Sequence, residues 1–64
     1  MIKDFARVLR EQIRTDLNNY ADDLALGVCQ DYAQYQKLCG IIQGLGLAER
    51  YIIDLAEKVE KANE

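Results

Sequence analysis

Apolar residues return every three or four positions along almost the whole chain, and the pattern breaks only once. Ile2, Phe5, Leu9, Ile13, Leu17, Tyr20 and Leu24 form one stripe on a helical wheel, widened by Ala6 and Ala21. Glu11, Thr15, Asn18 and Asp22 occupy the opposite face. The spacing predicts a helix over about 2–26, ~37 Å long at the α-helical rise. The break falls at Leu26-Gly27-Val28-Cys29-Gln30-Asp31. Gly27 can take the left-handed conformation that ends many helices, with Val28 folding back on the last turn. Asp31 then supplies an N-cap, and Gln34 three residues on completes a capping box.

A second helix is predicted over about 31–62. Leu38, Ile41, Leu45, Ala48, Ile52, Leu55, Val59 and Ala62 alternate spacings of three and four without a slip, which is a heptad seam. The tail from Glu57 turns polar, which predicts a frayed end. A turn at about 27–30 between two long helices makes them antiparallel neighbours. The expected fold is therefore all-α: a single helical-hairpin domain over 1–64, completed by oligomerisation or by docking to a larger protein. Two rivals remain open at this point. Gly27 costs a helix only ~1 kcal/mol against alanine, so a bent continuous helix is one. A second turn near 44–46, with a short third helix, is the other.

The second helix is too apolar for a two-helix fold. Between Leu38 and Ala48 the sole polar side chain is Gln43. Beside the seam lies a second apolar face at Tyr35, Cys39, Ile42, Gly46 and Ile53. A third, at Gly40, Gly44, Leu47 and Tyr51, falls largely on the far side. A helix that is apolar all round is buried all round, and one partner helix cannot cover three faces. These nine residues are the expected protein interface. Gly40, Gly44 and Gly46 together cost the helix ~2–3 kcal/mol against alanine. Gly40 and Gly44 are four apart and share a face, so they would let another backbone approach closely, with Gly44 at the tightest point.

Composition supports this picture and closes off others. The chain has 64 residues, no proline, no histidine and a net charge of -3. A chain this short has a thin core and usually needs a disulfide, a metal or a partner. Cys29 and Cys39 are not in a CxxC arrangement, and no secretory signal implies an oxidising compartment, so they are expected to be small buried hydrophobes. Without histidine, zinc would need an uncommon ligand set, and the acidic residues near the turn follow no calcium-loop pattern. No metal or cofactor is expected. With neither histidine nor serine, no nucleophile–base pair can be assembled, so no catalytic residue is expected and the chain is not expected to be an enzyme. The acidic balance argues against nucleic acid as the main partner. No apolar run approaches the ~20 residues that span a bilayer.

Two charged features have internal explanations. Lys3, Arg7, Arg10 and Arg14 form a basic ridge, which in an antiparallel hairpin meets Glu57, Glu60 and Glu64. A contact to phosphates or to an acidic partner is the alternative. Asp16, Asp22, Asp23 and Asp31 make the turn half acidic, with Lys37 in reach to offset them. Of the four tyrosines, Tyr20 belongs with the core stripe, and Tyr32 and Tyr51 are the better contact candidates.

The second half resembles short proteins encoded among the virion-structure genes of tailed bacteriophages. The likeness is carried by Asp31-Tyr32-Ala33-Gln34-Tyr35, by Leu38-Cys39-Gly40-Ile41-Ile42-Gln43-Gly44-Leu45, and by Leu47-Ala48-Glu49-Arg50 with Ile53-Asp54-Leu55. It implies a structural or assembly component packed against larger proteins near the head or tail, found in the host cytoplasm during assembly and then in the virion. The length and hairpin form are also similar to the plasmid copy-number regulator Rop, a dimeric four-helix bundle that binds RNA, although no residue pattern matches. That likeness implies the second function, a regulatory bundle binding nucleic acid or a host protein.

Overall fold

The computed structural model describes residues 2–62, with side chains from Asp4 onward, and contains the two helices in the expected order. α1 spans Ile2–Ala25 and α2 spans Tyr32–Ala62. The turn between them follows from local chemistry. Gly27 has φ 74°, the left-handed conformation open to glycine without a Cβ clash. This lets the Val28 N–H reach the Asp23 carbonyl at 3.1 Å and the Gly27 N–H reach the Leu24 carbonyl at 3.2 Å. These are the two bonds of a Schellman motif. α2 starts at its expected cap, with the Gln34 N–H donating to Asp31 Oδ1 at 2.8 Å. The return bond lands one residue earlier than a standard capping box, because Gln34 Oε1 accepts from the Gln30 N–H at 2.8 Å.

The helices are antiparallel. Arg14 of α1 meets Glu49 of α2, whereas Leu17, three residues on, lies across from Gly46, three residues back. α2 runs unbroken through Gly40, Gly44 and Gly46, so neither a bent single helix nor a second turn forms. The molecule is a rod of 50 × 15 × 12 Å with a radius of gyration of 14.9 Å. A compact chain of this length would have a radius near ~11 Å. Two helices side by side make one layer, and a single layer has no interior.

That geometry decides the burial. No apolar side chain among the described residues is fully buried. Among those residues the one that is buried is Glu49, 8% exposed. The heptad seam is correspondingly only half used: Leu38, Ile41, Leu45, Ala48, Ile52 and Val59 are half-buried, but Leu55 stays 61% exposed. The face of α2 turned to α1 is centred on Glu49, one residue past the seam.

The two long sides of the rod differ in chemistry. On one side Arg7, Arg10, Arg14, Glu49, Glu57 and Glu60 line the crevice between the helices. On the other, Phe5, Ala6 and Leu9 of α1 and Ile52, Leu55, Ala56 and Val59 of α2 line an apolar groove of about 160 Å³. The groove lies toward the open end of the hairpin, away from the turn.

Candidate protein-interaction surface

The nine residues expected at an interface separate into three groups. Gly40, Gly44, Leu47 and Tyr51 form an exposed strip on the far side of α2, with Leu47 at 55% and Tyr51 at 66% exposure. Ile42, Gly46 and Ile53 are half-buried. Of these, Gly46 faces the chain's own first helix: a Cβ built there would lie 3.9 Å from Leu17 Cδ1. Ile53 sits in the charged crevice beside Arg7 and Arg10. Within the hairpin, therefore, the glycine nearest the other helix is Gly46 and not Gly44. Cβ atoms at Gly40 and Gly44 would meet nothing within 4 Å. The reason is rotational: α2 presents the 42–46–49–53 side inward, which turns 40–44–47–51 outward.

Tyr35 and Cys39 belong to a third group near the turn. The Tyr32 and Tyr35 rings stack with centroids 6.1 Å apart and planes 19° from parallel. Cys29 and Cys39 are free thiols, both half-buried. A hydrogen bond with Cys39, and then the negative charge that Cys39 carries once ionised, hold the Tyr35 phenol above its ordinary pKa. Leu26 and Val28 are exposed beside them, so the tip of the hairpin is a second apolar patch.

The basic ridge divides between two sets of acids. Arg14 forms a forked pair with Glu49, its Nε donating to Oε2 at 2.9 Å and its Nη2 to Oε1. Arg7 pairs within α1 with Glu11 at 3.3 Å. Arg7 and Arg10 do share a crevice with Glu57 and Glu60, as the antiparallel pairing requires. Glu64 and the side chains of Ile2 and Lys3 lie outside the described residues. Glu49 is thus the cross-helix acid, at a position the charge pattern of the α2 end does not single out. A signal for it was present: its helical neighbours Leu45, Gly46, Ile52, Ile53 and Ala56 are all apolar or glycine. A carboxylate in that setting is buried, and a buried carboxylate needs a cation.

The apolar groove does not follow from the periodic pattern. The α1 stripe and the α2 seam supply all its residues but Ala56, yet Phe5 is 70% exposed and Leu55 61%. Among the described residues no group of three or more His, Cys, Asp or Glu side chains is placed to hold a metal ion. No helix among them is long and apolar enough to cross a membrane. No protein-family model, no curated protein and no solved structure matches this chain.

Proposed function

We propose that this chain is a non-enzymatic helical-hairpin module for structure or assembly, whose apolar surface is covered by other protein. One observation carries the reading. Among the described residues no apolar side chain is buried, while Phe5, Leu26, Tyr32, Leu47, Tyr51 and Leu55 are all more than half exposed. Scattered single hydrophobes are ordinary on a surface, but continuous patches mark contact sites. A regulatory bundle that grips nucleic acid is the less supported function, since Arg7 and Arg14 are already engaged by Glu11 and Glu49. A phage-particle setting rests on the sequence resemblance alone.

The test is cross-linking in a native extract, followed by size separation and mass spectrometry. The chain is expected in protein-bound species well above its own 7.3 kDa. A chain that stays free in the extract, and melts sharply at a temperature independent of its concentration, overturns the reading.

A further inference from the structure

We infer that the apolar groove at the open end is a self-association site, in which a second copy seats its own groove antiparallel on the first. This rests on the protein-binding reading and names the partner for one of its surfaces. The groove's chemistry is self-complementary. Its α2 ridge, Ile52-Leu55-Val59, is nearly symmetric about Leu55. Run against its own copy in reverse, it sets Ile52 opposite Val59 and Leu55 opposite itself. On α1, Phe5 and Leu9 exchange places in the same way. Both exchanges occur at one level of the rod, because Phe5–Leu9 and Ile52–Val59 line the same groove. A single two-fold axis therefore satisfies both helices, as an isologous contact demands. The heptad spacing of the ridge is also the spacing that packs against another helix.

Charge selects the direction. Asp16, Asp22, Asp23 and Asp31 lie toward the turn, with Lys37 the one basic side chain there. Two copies aligned in parallel would hold these acidic halves side by side, whereas antiparallel copies overlapping at their open ends send them apart. Area sets the strength. Phe5, Leu9, Leu55 and their half-buried neighbours leave roughly 400 Å² of apolar surface per copy, or about 800 Å² for the pair, which is below the ~1,200 Å² of stable interfaces and in the range of weak, transient ones. The dimer is then reversible and depends on concentration.

Sedimentation equilibrium of the full chain, from low micromolar to several hundred micromolar, tests this. The parent is expected to pass from monomer to dimer over that range. Leu55→Glu, which would bury an unpaired charge in the pair but not in the single hairpin, should move the midpoint to a concentration tenfold or more higher. Phe5→Glu should do the same from the other helix, and helical circular dichroism confirms that each variant is folded. Gln36→Glu, an exposed position toward the turn and outside the groove, should leave the midpoint within twofold. X-ray scattering fixes the arrangement: end-overlapped copies reach roughly 80 Å, against 50 Å for one chain.

Three outcomes overturn the inference. They are a monomeric parent across the range, a dimer indifferent to both groove substitutions, and a dimer no longer than the monomer. Each leaves the protein-binding reading standing if the chain is still cross-linked to other protein in the native extract. If it is free there as well, both fall.

Discussion

The two long sides of this hairpin hold the same helices together by different means. On the charged side, contact is specific: the guanidinium fork of Arg14 fits the two oxygens of Glu49 and gives that buried carboxylate its cation. On the apolar side, contact is general. Phe5, Leu9, Ile52, Leu55 and Val59 approach one another without closing, and leave a groove. Ion pairs have direction and a fixed partner, so they select one alignment. Apolar area has neither, so what one helix leaves exposed stays available to another chain. The charged side sets the register, and the apolar side supplies surface for association.

The sharpest way to break this comparison is at Arg14. Arg14→Ala strands the buried Glu49 carboxylate and should cost about 2–3 kcal/mol in urea denaturation. The double variant Arg14→Met/Glu49→Leu should recover most of that loss, since apolar replacements of a buried pair are often neutral. If the double variant stays as weak as the single one, the pair contributes stability of its own beyond register. On the other side, Ile52→Ala should cost about 1–2 kcal/mol, less than a fully buried isoleucine would, because Ile52 is half-buried. Salt separates buried from exposed pairing. Raising ionic strength to 1 M shrinks the Debye length to about 3 Å, which should erase any contribution of the exposed Arg7–Glu11 pair but leave most of the Arg14→Ala loss, because buried pairs are screened much less. An Ile52→Ala loss exceeding that of Arg14→Ala would reverse the division of roles.

Glycines outside both contacts calibrate it. Gly27→Ala forces a Cβ into the left-handed region at φ 74° and should destabilise the hairpin by about 1 kcal/mol. Gly44→Ala should stabilise it by up to about 1 kcal/mol, since an added methyl there meets nothing within 4 Å. Thermal melts of the two variants should therefore move in opposite directions. If Gly44→Ala weakens association instead, the far face of α2 is a second contact surface, independent of the groove. The smallest expected effect is at the turn. The folded state holds the Tyr35 proton more tightly than the unfolded chain does. This contribution is fully present below the ordinary phenol pKa and is lost as pH rises through the raised one. Cys39→Ala should lower the pH at which tyrosinate absorbance appears for Tyr35.

The features legible in advance were those set by near neighbours in the chain. The break at Gly27, the Asp31 cap, both helices to within a residue at their ends and the antiparallel pairing all depend on contacts a few positions apart or on a short connection. The all-round apolar character of residues 38–48 was legible too, because helical periodicity places side chains on faces without reference to anything else. The rotation of α2 about its own axis was not. A heptad seam says which residues share a face, but the helix may turn that face squarely to its partner or partly aside. Here Leu17 packing toward Gly46 and Arg14 reaching Glu49 turn it aside by about one residue. That turn buries a carboxylate absent from the apolar pattern, brings Gly46 inward and Gly44 outward, and opens the groove around Leu55. Local periodicity determined the elements, whereas the pairing of side chains distant in sequence decided which surfaces they leave exposed.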